Sequence, residues 1–256
     1  MKTIILAGGF GTRISEHTSL IPKPMIKINN KPIIWHVMKI YSQQSFNDFH
    51  IALGYKADVI KEYFLNYRTL NSDFKIDLKN GDIEIIKPDI LDWKITLLNT
   101  GLNTMTGGRL KRFKNLINDD QFFLTYGDGV SNINIKKLLD FHNSHNKMIT
   151  LTAVRPTARF GELKLDGDEV VEFEEKPQLQ DGWINGGFFV INKEFFDLIE
   201  NDETLLEREP LEKAVKLNQL MAYKHDGFWQ CMDTKRDQEL LEKISANGEA
   251  PWLNIK

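Results

Sequence analysis

Apolar residues fall in short runs that alternate between two periods along the first hundred positions. Thr3–Ala7 (TIILA) is a continuous apolar run and predicts a short buried strand that breaks at Gly8-Gly9-Phe10-Gly11. After Pro32, Ile34, Val37, Met38 and Tyr41 recur at helical spacing, with the proline suited to a first helical turn. Phe49–Leu53 predicts a second strand and Ala57–Phe64 a second helix. Strand, helix, strand, helix in this order predicts a parallel sheet built from βαβ units.

The pattern then changes. FKIDL and DIEII flank Asn80-Gly81, a strong hairpin signal. Lys94–Leu98 predicts a strand. Thr106–Ile117 predicts a helix with Leu110, Phe113 and Ile117 on one face. Gln121–Gly129 reads as a buried strand running into an acid bracketed by glycines, and Met148–Val154 as a further strand. ELKL and EVVEFEE surround Asp166-Gly167-Asp168, a second hairpin, and a helix is expected near Lys235–Asn247. Glycine and proline are scattered rather than gathered into a linker. The expectation is an α/β fold: residues 1–256 as one domain with a mixed, mostly parallel central sheet, antiparallel additions, a C-terminal helix and a short tail.

Composition narrows the function. The 256 residues carry 33 Lys+Arg against 36 Asp+Glu, a net charge of −3, which argues against a broadly basic nucleic-acid binder. A single cysteine, Cys231, allows no intrachain disulfide. The apolar stretch at the N-terminus is too short for a signal peptide, and no run approaches the ~20 residues of a membrane span. A cytoplasmic protein without membrane or nucleic-acid partners is expected.

Two segments near the N-terminus suit an anionic ligand. A glycine loop directly after a strand lets backbone N–H groups approach phosphates, and Arg13 adds a fork of donors. No Gly-Lys-Ser/Thr follows, so this is not a Walker A loop. The third glycine of the dinucleotide fingerprint is also absent. In IPKPM, Lys23 stands between two φ-fixing prolines and forms, with Arg13 and Lys31, a positive cluster in an acidic chain. Taken singly, each segment reads equally well as a tight turn with a solvated cation. Asp128 ends a strand where ligands bind in open α/β sheets, or else caps a chain reversal. The charges of FEEKP suit either a solvated hairpin arm or a pocket wall. Asn185, beside Gly186-Gly187, offers a donor and an acceptor to sugar hydroxyls. The six histidines show no zinc spacing, and Cys231 has no activating partner.

LAGGFGTR followed by PKPM resembles the opening signature of the sugar-phosphate nucleotidyltransferases. TGGR (106–109), TYGDGV (125–130), FEEKP (173–177), NGGFFV (185–190) and FWQCMDT (228–234) continue the match from the first strand to the last helix. GDG in place of GDN, TGGR, and the FWQ…MDT ending resemble the cytidylyl-transferring branch. Cys231 departs from the pattern, which has proline there. The resemblance implies a Rossmann-like three-layer fold and transfer of CMP from CTP to glucose 1-phosphate, for deoxysugar and O-antigen polysaccharide precursors. It implies that Leu6, Ala7, Gly8, Gly9, Phe10, Gly11, Thr12, Arg13, Lys23, Thr104, Arg109 and Asp128 bind the nucleotide. Arg13, Lys23 and Asp128 would be catalytic. Glu175, Lys176, Asn185 and Gly186 would bind the sugar phosphate, and Asp128 and Asp233 would hold Mg²⁺. It also implies a homo-oligomer of up to six subunits, for which the tail with Pro251 and Trp252 is a candidate docking segment, the alternative being that Trp252 folds back on its own chain. Other readings are the same reaction with UTP or dTTP, a question of the base pocket alone, a binding-only regulatory subunit on the same fold, and a glycosyltransferase. Intact Arg13, Lys23, Asp128 and Asp233 argue against the regulatory subunit, and the lack of Asp-x-Asp at Asp128 against the glycosyltransferase.

Overall fold

The structure is a computed structural model that describes residues 1–14, 18–87, 90–156, 162–166, 169–174, 182–246, 248 and 250–255. The side chains of residues 13, 162–166 and 172–174 lie outside that description. Seven strands form the central sheet: β1 (Lys2–Leu6), β2 (Asp48–Leu53), β3 (Lys94–Asn99), β4 (Gln121–Tyr126), β5 (Ile149–Val154), β6 (Ile184–Asn192) and β7 (Leu220–His225). Their order across the sheet is β7-β5-β6-β4-β1-β2-β3. All pair in parallel except β6, which runs antiparallel to both β4 and β5.

Alternation along each strand fills two cores. Ile5, Phe49, Ile51, Phe123 and Val190 face one side of the sheet. There they meet helices α1 (Ile33–Ser42) and α2 (Ala57–Leu65). Ile4, Leu6, Phe122, Leu124 and Phe189 face the other side. That side is covered by α3 (Thr106–Lys111) and the turn at Lys193–Leu198. Helix α4 (Ile135–His145) covers the first face, α5 (Glu209–Lys216) the second, and α6 (Lys235–Ala246) returns to the first. The result is the expected three-layer α/β sandwich.

Two details differ from the sequence-based expectation, and the tail takes the second of the two places expected for it. Helix α3 stops at Lys111 rather than Ile117. Beyond it Phe113 N–H and Leu116 N–H donate to carbonyls three residues back, so the chain tightens while still burying Leu110, Phe113 and Ile117. Pro32 precedes α1 instead of sitting inside it. The tail docks on its own chain: Trp252 is fully buried, stacks on Phe228 at 5.5 Å, and its Nε1–H donates to His36 Nδ1 at 3.1 Å. Strands β6 and β7 and helix α5 went unread in the sequence, being short or hidden inside a motif.

Order and direction set where a ligand can lie. From β1 the chain moves outward through β2 and β3, then returns to the opposite side of β1 as β4. The loops leaving β1 and β4 therefore diverge, and a crevice opens at the carboxyl ends of these two strands. Leu6 pairs with Tyr126 at the lip of that crevice.

Candidate active site

A cavity of about 920 Å³ occupies the crevice. Leu6, Ala7, Gly8, Gly9, Phe10, Gly11, Thr12, Lys23, Thr104, Arg109, Asp128, Asn185, Gly186 and Asp233 all line it. The backbone of Arg13 lies in the turn Thr12–Ile14, and its side chain is outside the described set. Glu175 and Lys176 are outside the described residues altogether. Lys31 does not join the cavity. Its ammonium lies over the rings of Trp35 and Tyr67 and donates to Asn71 Oδ1.

Lys23 is a buried cation of the cavity wall. Pro22 leads into a single 3₁₀ turn, Lys23–Met25, closed by Ile26 N–H donating to the Lys23 carbonyl. This leaves Lys23 only 8% exposed rather than solvated. Its Nζ donates to Asp128 Oδ2 at 2.5 Å and to Asp233 Oδ1 at 2.6 Å. Burial opposes the charge on Lys23, yet the two carboxylates hold its affinity for the proton above that of an ordinary lysine.

Two devices bring Asp233 to Asp128 across 105 positions of sequence. Trp229–Cys231 pairs antiparallel with Gly129–Ser131, and Met232 N–H donates to the Asp128 carbonyl. Thr234 and Asp237 then form a reciprocal cap at the start of α6. Thr234 Oγ1 accepts from Asp237 N–H at 3.3 Å, and Asp237 Oδ2 accepts from Thr234 N–H at 2.8 Å. The same Oδ2 accepts from Asp233 N–H at 3.0 Å, which fixes the backbone carrying the second acid. Cys231 is a bystander in chemistry. Burial and the neighbouring Asp233, Asp128 and Asp237 push its thiol up to about 12, so it stays protonated.

TGGR has a part in building the wall. Added Cβ atoms at Gly107 and Gly108 would meet the Thr204 carbonyl at 2.7 Å and Asp202 Cα at 2.5 Å, so only glycine lets the 202–206 loop approach. Arg109, 4% exposed, donates through Nη1 to the carbonyls of Leu53 and Gly101 and to Thr100 Oγ1, and through Nη2 to the Leu102 carbonyl. It thereby ties the ends of β2 and β3 beneath Gly8, whose Cβ would fall 2.3 Å from Nη1. Trp229 Nε1–H donates to the Gly186 carbonyl, and Asn185 Oδ1 accepts from Gly187 N–H. These bonds hold the turn facing the cavity.

Tyr126 and Glu207 were not legible as site residues. Glu207 sits in a charged run, Glu207-Arg208-Glu209, that reads as a helix surface, but its carboxylate lines the cavity. A signal existed for Tyr126 alone, since it precedes Gly127-Asp128 in the motif.

Two acids that converge on one ammonium make a seat for a cation. Among the described residues no group of three or more His, Cys, Asp or Glu forms a closed metal cage. Mg²⁺ takes one or two carboxylates and completes its shell with phosphate oxygens and water, so the donor set fits it. A glycine loop, a buried lysine and paired acids at a topological switch point define a phosphate-handling α/β enzyme.

A model of the nucleotidyl transferase family matches residues 2–237, and the chain belongs to that family. It is 49% identical to glucose-1-phosphate cytidylyltransferase of Salmonella typhi over 98% of each chain. It is 41% identical to a probable glucose-1-phosphate cytidylyltransferase of Bacillus subtilis, covering 98% of this chain and 99% of the relative. Among solved structures, HddC from Yersinia pseudotuberculosis aligns with a TM-score of 0.69 at 24% identity, over 95% of this chain and 99% of that one. A putative glucose-1-phosphate thymidylyltransferase from Bacillus anthracis aligns with the same score at 17% identity, over 100% and 97%. These structural likenesses establish the fold.

Proposed function

We propose that this nucleotidyltransferase transfers CMP from CTP to glucose 1-phosphate, giving CDP-glucose and pyrophosphate. Near full-length identity to two cytidylyltransferases supports the substrates. The observation that carries the chemistry is Lys23 held between Asp128 and Asp233 in the cavity wall. A phosphate oxygen of glucose 1-phosphate attacks the α-phosphorus of CTP. The bond from that phosphorus to the bridging oxygen breaks, and the bridging oxygen leaves with pyrophosphate. Two polyanions must meet, so charge neutralisation is the main task. Lys23 and Arg13 bind the triphosphate, the backbone of the Gly8–Gly11 loop wraps it, and Lys176 aligns the incoming phosphate. Asp128 and Asp233 would hold Mg²⁺, which when bound offsets charge on the phosphate oxygens. Thr104 and Arg109 border the nucleotide, and Glu175, Asn185 and Gly186 the sugar.

No protein base is needed. The nucleophile is a phosphate monoester with a second pKa of ~6, already mostly dianionic near neutral pH. No histidine lines the cavity among the described residues. The acid limb of kcat/KM therefore follows substrate ionisation, and a phosphonate analogue of different second pKa shifts it correspondingly. A limb that ignores the analogue would reveal a protein base.

Several copies associate, up to a hexamer. The hairpin of Asp73–Asp77 and Asp82–Lys87 supports this, for Phe74, Ile76 and Ile83 on its paired strands are all at least 40% exposed. Light scattering at micromolar concentration checks it. The nucleotide assignment is tested by pyrophosphate release with CTP, UTP and dTTP. CTP is expected to lead UTP by at least 10-fold in kcat/KM, because buried groups matched to one base are left unpaired by the other. Equal efficiencies would refute cytidylyl specificity.

A further inference from the structure

Three described carboxylates line the cavity, and one has no part in the charge seat. Asp128 and Asp233 share Lys23, whereas Glu207 forms no ion pair among the described residues. Its two oxygens are nevertheless fixed. Tyr126 Oη donates to Oε1 at 2.6 Å and Thr106 Oγ1 donates to Oε2 at 2.6 Å. Thr106 Oγ1 also accepts from Leu206 N–H at 2.9 Å, so its own proton is committed to Glu207. Tyr126 can only donate here, because a carboxylate oxygen offers it nothing but an acceptor. The approach of the 202–206 loop to Gly107 and Gly108 seats the carboxylate here, with Asn201 Oδ1 accepting from Glu203 N–H in the same loop.

We infer that Glu207 is a specificity-determining residue that accepts hydrogen bonds from a vicinal pair of sugar hydroxyls, an assignment that rests on the reaction proposed above. A carboxylate has about four acceptor positions, and only two are used. An unneutralised negative charge repels phosphate, so the triphosphate does not lie against it. The pairing edge of cytosine places acceptor N3 beside the N4 amine, and N3 would abut the second oxygen. Adjacent hydroxyls present two donors side by side, which matches two oxygens held in one plane. Such a pair exists on the ribose of CTP and on the pyranose of glucose 1-phosphate.

The test compares wild type, Glu207→Gln and Glu207→Ala with deoxy analogues of each substrate. One arm pairs 2′-deoxy- and 3′-deoxy-CTP with glucose 1-phosphate. The other pairs the 2-, 3-, 4- and 6-deoxyglucose 1-phosphates with CTP. For wild type, removal of one hydroxyl of the bound pair is expected to lower kcat/KM about 10- to 100-fold. In Glu207→Ala that penalty falls to less than threefold, and KM rises for the affected substrate alone. The arm in which the penalty collapses names the sugar. Glu207→Gln, which keeps size and one acceptor, gives an intermediate penalty and carries the test if the alanine variant unfolds. Deoxy penalties unchanged in both variants overturn the inference. A wild type that releases no pyrophosphate from CTP and glucose 1-phosphate overturns the reaction itself, a different result from unchanged penalties in an active enzyme.

Discussion

Lys23 makes two short charged bonds in a place where water scarcely reaches, and its loss should be felt in stability as well as rate. Lys23→Ala leaves Asp128 and Asp233 facing each other without a cation. The expected cost is about 2–3 kcal/mol in EDTA, measured by urea denaturation. Adding Mg²⁺ should restore part of it, because a divalent ion can take the same seat, and Asp128→Asn in the Lys23→Ala background should relieve the repulsion. Turnover should fall at least 100-fold in either single variant. A cost identical with and without Mg²⁺ would mean that the acids do not share a cation. This residue was legible because two prolines marked it as rigid. The bonding of Arg109 was not, since nothing in a sequence distinguishes a guanidinium that binds carbonyls of its own chain from one that meets a ligand. Glu207 was hidden for a related reason: its carboxylate acquires a direction only when the 202–206 loop crosses α3.

Among the elements, the short ladder after β4 and the cap of α6 decide whether the two acids meet. Asp237 is far down the chain from Lys23, yet it holds the backbone N–H of both Asp233 and Thr234. Asp237→Ala should lower stability by about 1 kcal/mol, as loss of a helix cap does. It should also raise the Mg²⁺ concentration needed for half-maximal rate, which a change confined to stability would not do. Titrating Mg²⁺ against rate for the folded variant checks this. The strands with clear apolar runs and the hairpin at Asn80-Gly81 were readable from local pattern. The end of α3 was not, because a 3₁₀ tightening buries the same three side chains that a continued helix would.

At the scale of the whole molecule, burial works against protonating the histidines among the described residues. His36, His50, His142, His145 and His225 all have pKa values below the ordinary 6.5, with desolvation the leading cause. At His142 and His145 the acceptor bonds to the ring nitrogens act in the same direction as burial. Lys147 N–H donates to His145 Nδ1, which leaves His145 Nε2–H to donate to Thr150 Oγ1 and the Thr150 hydroxyl to donate to His142 Nδ1. His142 Nε2–H then donates to Asn192 Oδ1, and Asn192 Nδ2 closes the circuit on the Lys147 carbonyl. No ring nitrogen in that circuit can take a proton without breaking a bond. Because the folded values are depressed, the unfolded chain binds protons that the native state refuses. Stability is full above pH ~6.5 and falls as pH drops below it, by up to about 1.4 kcal/mol per pH unit for a fully buried histidine such as His36 and by less for the partly exposed His145. Urea midpoints should fall between pH 7 and pH 5, and His36→Gln should flatten the slope. A midpoint constant over that range would contradict the assignment.

The cavity and its charge seat serve one reaction, the exchange of pyrophosphate for a sugar phosphate on CMP. Phosphorus NMR follows every phosphorus atom of that exchange at once. With CTP, glucose 1-phosphate and Mg²⁺, the account predicts that the CTP and monoester signals decline together while CDP-glucose and pyrophosphate rise in equal amounts, and that added pyrophosphate drives the signals back. Production of CDP with inorganic phosphate, or consumption of CTP with the glucose 1-phosphate signal unchanged, would contradict it.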